Sequence, residues 1–460
     1  MLDIADIQGV LLRGYSEKKH ACFVLAAIDD ARECKRWLAG VEVTGSKDVR
    51  LGLEPTPAEL ARRDIRYSER SALNIALTHR GLRALGLTDD RARAFSLPFR
   101  SGMASERARR ILCDRHWEDW DWSDAAVDML VMVYAPGDGE LRRARESVLG
   151  ELAAFATTEV LPTRDLGGIE HFGFRDGIAQ PRLLPREGER GVAPGEIVLG
   201  YPDERGGGAT DRSDLRYNGS YLVMRQIYQD VAAFWRYMKQ AACPVSDPRT
   251  DPSVYMAAKM VGRWPGGEPI VRHPDADPGP REFPSDDFGF RSSDPEGDRC
   301  PLGSHIRRMN PRDWLFGTDE ASARRVTDRH RVLRRGRPYG EPVGLDAVDM
   351  ARNPDRIEDA DRGLHFVCFN ADILRQFEFL QQTWGNNAKF AGLSADPDPI
   401  VGQLYQEPIP DPQRPHRRCF TVQQDPVRHR ALDVPDLVQL RGGGYFFLPG
   451  IRALRAIAAL

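Results

Sequence analysis

The sequence predicts an α+β fold made of two tandem ferredoxin-like modules, with mostly antiparallel sheets and helices packed on them. Three observations predict it. An apolar, strand-like run followed by a helical pattern occurs four times along the chain. A ferredoxin-like unit, β-α-β-β-α-β, contains two such pairs, so four pairs fit two units. The 460 residues, 41% of them hydrophobic, are enough for two or three domains or one large duplicated unit.

The elements follow in order. Residues 20–28 (HACFVLAAI) form the first strand, and the helix after Asp29 carries Cys34, Trp37 and Leu38. Residues 71–87 predict an amphipathic helix behind a serine N-cap, with Ile75, Leu82, Leu85 and Leu87 on its apolar side. Residues 129–134 (MLVMVY) form the second strand, followed by a helix over about 138–152. Residues 221–226 form the third, and its helix carries Val231, Phe234, Trp235 and Met238. Residues 364–370 form the fourth, and the helix from Asp372 carries Ile373, Phe377 and Leu380. The modules fall at 1–160 and 219–460, with 161–218 between them. Residues 186–218 and 265–299 lack periodicity and read as long loops, either functional or solvated.

Composition narrows the partners. Charged residues make up 29% and nearly cancel, for a net charge of -3, so neither nucleic acid nor an anionic membrane is expected. The seven cysteines are scattered and never form CxxC. That excludes a dense disulfide framework, the usual zinc spacings and a CxxCH haem attachment. No basic n-region, apolar h-region or membrane-length apolar run is present, so a cytoplasmic location without a membrane span is expected.

Three stretches carry chemistry. Residues 300–312 (CPLGSHIRRMNPR) read as one short helix bearing His305, with Arg307, Arg308 and Arg312 after it. Proline is tolerated in the first turn, and Asn310-Pro311 ends the helix. A rigid histidine beside positive charge suits a metal cofactor with anionic groups; a capped surface helix is the ordinary alternative. Residues 173–181 (GFRDGIAQP) place Asp176 between Gly173 and Gly177, where backbone can approach a ligand closely, or form a common Asp-Gly turn. Residues 334–340 (RRGRPYG) read as a strand end entering a tight turn, or a basic surface turn.

Together these stretches resemble the dye-decolourising peroxidase family of haem enzymes. The matching elements are Gly173, Asp176 and Gly177, the histidine of HIRRMNPR, and the arginine of RRGRPYG. The fourth strand (GLHFVCFN), the late GGGYFFLPG and the opening Ile7-Gln8-Gly9 with Leu12-Arg13-Gly14-Tyr15 are also similar. The resemblance spans nearly the whole chain and implies two ferredoxin-like modules of the dimeric α+β barrel type. It implies one non-covalent haem b per chain, with iron ligated by His305 through Nε2. It implies a peroxidase that reduces hydrogen peroxide and oxidises dyes, phenolics or other organic reductants through a ferryl intermediate. The alternative is a haem-handling protein with little turnover.

On that resemblance Asp176 is the distal acid–base, on a loop of the 161–218 linker, and Arg334 stabilises developing charge. Leu364 and Phe366 share parity on the fourth strand and press on the distal face of the haem. A carboxylate should back His305: Glu378 is the first candidate and Asp372 the second, though Asp372 also reads as a helix N-cap. Arg312 is a candidate for a propionate, with Arg308 as another. Trp264, Trp314, Tyr339 and Trp384 are candidates for surface oxidation of bulky dyes, with plain core as the ordinary reading of each. Exposed ferredoxin-like sheets are compatible with a homodimer.

Overall fold

The computed structural model describes residues 2–46, 71–185, 190–403, 418–424 and 426–460. Each of the four expected pairs forms. Strand β1 (His20–Ile28) leads to helix α1 (Ala31–Gly40), whose N-terminus is capped by the Asp30 carboxylate on Arg32 N–H and Glu33 N–H. Strand β2 is Ala72–Leu77, and β3 is the short Trp122–Ser123. Strand β4 (Met129–Ala135) leads to α2 (Asp138–Leu152), and β5 is Ala156–Pro162. Strand β6 (Ser220–Gln229) leads to α3 (Val231–Gln240), capped by Asp230. Short strands β7 (Leu333–Arg334) and β8 (Arg337–Tyr339) precede β9 (Gly363–Asn370), which leads to the helical segments Leu374–Glu378 and Leu380–Gly385. The hairpin of β10 (Cys419–Val422) and β11 (His429–Leu432) comes before the last strand, β12 (Val438–Leu448).

The sheet order is β5-β1-β4-β2-β12-β6-β9-β7. In each half this is the fourth, first, third and second strand of a β-α-β-β-α-β unit, so the chain is two ferredoxin-like modules joined edge to edge. The joint pairs Phe447 of β12 with Leu77 of β2. The ladder stays open, ending at β5 and β7, and no pairing among the described residues closes it into a barrel.

Alternation along the strands divides the core. Cys22, Val24 and Ala26 of β1 face the helices with Val131, Val133, Leu38 and Leu152. Ala21, Phe23 and Leu25 face the other way, against Val10, Leu11, Ile197 and Val198. Both faces are therefore covered, and each fully buried aliphatic side chain contributes about 1.5–3 kcal/mol. A third cluster, with Phe172, Phe234, Trp264, Phe290 and Phe420, lies beside the sheet.

One helix differs from expectation. Residues 71–87 are not a single helix: Ala72–Leu77 is β2, paired along β4. The helix begins after Thr78, whose hydroxyl accepts the Gly81 N–H at 2.9 Å. Pairing on both sides of ALNIAL overrides its helical spacing, a tertiary preference that local pattern does not carry.

Candidate functional site

The His305 helix is shorter than its sequence reads, spanning His305–Met309 with Ser304 at its N-terminus. Residues 300–303 are a turn closed by Ser304 N–H to Pro301 O at 3.0 Å. A five-residue helix does not hold itself in water, so its neighbours fix it. Ser304 Oγ donates to Lys259 O at 2.5 Å. Arg307 is fully buried, donates to Asp294, Cys300 O and Pro295 O, and lies between the rings of Phe290 and Trp314. Arg308, also fully buried, donates to the carbonyls of Gly303, Trp384, Asn387 and Asp396.

These two arginines anchor the helix from behind, so Arg308 is committed to backbone and is not a propionate partner. Arg312 has left the helical phase at φ 61° and is bound to Asp286 and to Phe288 O. The propionate expectation for Arg312 is corrected on that ground. Arg331 is a different case. Its guanidinium has no hydrogen-bond partner among the described residues, and it is held down to about 10 by burial and by the Arg312 and Arg334 charges.

The carboxylate behind His305 is Asp398, with His305 Nδ1 and Asp398 Oδ2 at 2.9 Å. Asp398 is fully buried, and its Oδ1 accepts the N–H groups of Ile400 and Val401, both at 2.9 Å. Burial works against both charges. The pairing wins, raising the His305 imidazole above its ordinary value and lowering the Asp398 carboxyl. The expectation for Glu378 is therefore wrong. Glu378 is 0% exposed and held bidentate by Arg107, at 2.9 Å to each oxygen, with Tyr445 Oη donating at 3.1 Å. Asp372 caps the helix of Glu378 instead, accepting the Arg375 N–H at 3.1 Å. Asp398 was missed because it sits in a Pro-flanked loop, Asp396-Pro397-Asp398-Pro399, with no helical or strand periodicity. Rigid prolines either side of an acid were the only signal.

Asp176 and Arg334 meet. Arg334 Nη1 donates to Asp176 Oδ1 at 2.9 Å, and Gly177 N–H donates to the same oxygen at 2.6 Å. Burial pushes the Asp176 carboxyl up, but Arg334, Gly177 and His305 outweigh it and hold the group below the ordinary aspartate value. Glu170 shapes this loop by accepting the N–H groups of Phe172 and Phe174 at 2.9 and 3.0 Å. Burial pushes its own carboxyl up to about 7.

His305 acts electrostatically on Asp176, and Arg334 on His305. The side chains of His305, Asp176 and Arg334 keep 27%, 42% and 31% of their surface accessible. His305 Nε2 has no hydrogen-bond partner among the described residues. No three His, Cys, Asp or Glu side chains gather to hold a metal among them either. A metal ion taken by this lone imidazole would draw its other donors from a macrocycle, so the donor set fits haem.

On β9, Leu364 and Phe366 stay partly accessible while His365 and Val367 between and after them are buried. Leu364 Cδ1 is 3.5 Å from the place a Cβ on Gly336 would occupy, one turn of chain past Arg334. Trp264, Trp314, Tyr339 and Trp384 are all under 9% exposed. None presents its ring at the surface, which corrects their reading as surface oxidation sites: each fills core, as with Tyr339 stacked on His365 at 4.7 Å.

No protein-family model matches the chain. It is 32% identical to a dye-decolorizing peroxidase of Mycena epipterygia, covering 100% of this chain and 87% of that protein. It is 29% identical to the multifunctional dye peroxidase of an Amycolatopsis species, covering 99% and 96%. Among solved structures, a fungal peroxidase of this type from Auricularia auricula-judae matches with a TM-score of 0.81 at 26% identity over 100% of both chains. A dye-decolorizing peroxidase in complex with 2,6-dimethoxyphenol matches at 0.80 and 26%, over 100% of both chains.

Proposed function

The chain belongs to the dye-decolorizing peroxidase family, and from that membership we propose that its chemistry runs between His305 and the Asp176–Arg334 pair. The protein is a haem peroxidase, an oxidoreductase that reduces hydrogen peroxide and oxidises dyes or phenolics. On this proposal the haem is haem b, held without a covalent link, with iron ligated by His305 Nε2. When bound, its iron supplies the centre that gives electrons to peroxide and later takes them from the organic reductant.

The chain's own residues do the rest. Asp398 accepts the His305 Nδ1 proton, fixing the tautomer that leaves Nε2 to bind metal and making the ring a stronger donor. Asp176 takes the proton from the inner oxygen of hydrogen peroxide and returns it to the outer oxygen, so that water leaves. Both hydrogen bonds to Asp176 among the described residues fall on Oδ1, which leaves Oδ2 for that proton. Arg334 stabilises the negative charge growing on the departing oxygen. Leu364 and Phe366 keep the space narrow and apolar. Arg331, its guanidinium without a hydrogen-bond partner among the described residues, would hold an anionic group of the macrocycle. Residues 161–218 on this reading bring Asp176 from between modules 1–160 and 219–460.

The observation that carries the proposal is a carboxylate-backed imidazole, its Nε2 without a hydrogen-bond partner among the described residues, within electrostatic reach of the ion-paired Asp176. A haem-handling protein needs His305 but has no use for Asp176 paired to Arg334. Purified protein should show a Soret band that His305→Ala loses or shifts. Rapid mixing with peroxide should change that band within milliseconds in the wild type. A Soret band that ignores peroxide would sink the enzymatic reading and leave the haem-handling one.

A further inference from the structure

Gln180 closes the same motif that carries Asp176, and nothing so far uses it. Its side-chain amide reads the backbone of Arg334. Gln180 Oε1 accepts the Arg334 N–H at 3.0 Å, and Nε2 donates to the Arg334 carbonyl at 3.2 Å. A neighbouring strand would make this pair of bonds. Among the described residues no strand takes that place, since β7 is only Leu333–Arg334 and has β9 on its other side. Arg335 N–H bonds Val367 O on β9 at 2.7 Å, so the alternating groups of Arg334 point to the outer edge. From the same loop, Asp176 takes Arg334 Nη1 and the Ala179 carbonyl takes Nη2 at 3.5 Å. One loop segment thus holds both the root and the tip of Arg334.

We propose that Gln180 is a positioning residue that fixes Arg334 against Asp176, so the acid–base group and the cation keep one spacing as peroxide enters. This rests on the roles proposed for Asp176 and Arg334. The physical reason is that a two-residue strand has little else to set its register. A guanidinium on a long side chain loses its aim when its backbone moves, and a misplacement of about 1 Å can cost on the order of a hundredfold in rate.

The test compares Gln180→Ala and Gln180→Met holoenzymes with Arg334→Leu and Asp176→Asn. Gln180→Met keeps the volume and removes both bonds, so it guards against simple loss of packing. The rate constant for reaction with peroxide should fall about ten- to a hundredfold. Oxidation of 2,6-dimethoxyphenol by enzyme already treated with peroxide should be unchanged. The acid limb of the peroxide reaction should move to higher pH. The charged groups acting on Asp176 are Arg334, His305 and Glu170, and loosening Arg334 removes the largest charge that holds the carboxyl down. Amide hydrogen exchange in the peptide containing Arg334 should quicken, a readout independent of turnover. On the Arg334→Leu background, Gln180→Met should cost nothing more in rate. An unmoved acid limb, or a full additional loss on that background, would overturn the positioning role. If Asp176→Asn and Arg334→Leu themselves react normally with peroxide, the underlying reading falls and takes this one with it.

Discussion

At the scale of single residues, two buried carboxylates of the C-terminal module divide their parts differently from what the sequence suggests. Asp398 faces His305, and Glu378 is locked to Arg107 and Tyr445. Asp398→Asn should therefore weaken haem retention about 10- to 100-fold and raise the reduction potential of the iron. Glu378→Gln should leave both unchanged and lower stability by about 1–3 kcal/mol. Spectroelectrochemical titration and denaturant midpoints on the two variants decide this, and the reverse pattern would reinstate Glu378. Asp176→Asn should slow the reaction with peroxide about 10²- to 10⁴-fold. The pH dependence has a definite sign. A carboxyl held below its ordinary value stays ionised as pH falls through the usual aspartate range and loses its base form only below it. Peroxide reactivity should therefore persist to about pH 4. An acid limb centred near pH 6 in the wild type would count against Asp176 as the base.

At the scale of elements, the His305 helix shows how a short segment becomes rigid. It has too few internal hydrogen bonds to persist alone. Arg307 and Arg308 supply the missing order by satisfying carbonyls on the segments around it, and rings on Phe290, Trp314 and Phe390 cover their planes. Arg307→Ala leaves the buried Asp294 carboxylate without its cation and should cost about 3–5 kcal/mol, read from the urea midpoint. The same variant should lower haem affinity, because His305 sits on the element that loosens. A variant that unfolds at the wild-type midpoint would show that the helix is held some other way.

At the scale of the whole molecule, the two modules share one sheet, joined where Phe447 of β12 pairs with Leu77 of β2 and where β3 runs parallel to β12 at Gly442 and Gly443. Gln8 strengthens this joint. It is fully buried, donating to Ile75 O at 2.8 Å and Pro449 O at 3.0 Å while accepting the Ile75 N–H at 2.9 Å. It therefore ties β2 of the first module to the end of β12 of the second. Gln8→Ala leaves several buried backbone groups without partners and should destabilise the chain by at least about 2 kcal/mol. Calorimetry should show the loss, and a splitting of one transition into two would mark the joint as the place where cooperativity fails.

The sequence by itself determined the four strand-then-helix pairs, because apolar spacing is a local signal. It also marked His305, Asp176 and Arg334, through strings that together resemble one family: HIRRMNPR, the glycines around Asp176, and RRGRPYG. What it did not determine lies in contacts between segments far apart. The β2 segment carries helical spacing and became a strand only because β4 and β12 flank it. Asp398 lies in an aperiodic loop, so its approach to His305 is decided by how residues 385–402 fold back on the helix. Arg307 and Arg308 read as a charged face until tertiary packing buries them against carbonyls. Sequence periodicity records which side of an element is apolar; which buried charge meets which partner depends on distances that only the folded chain sets.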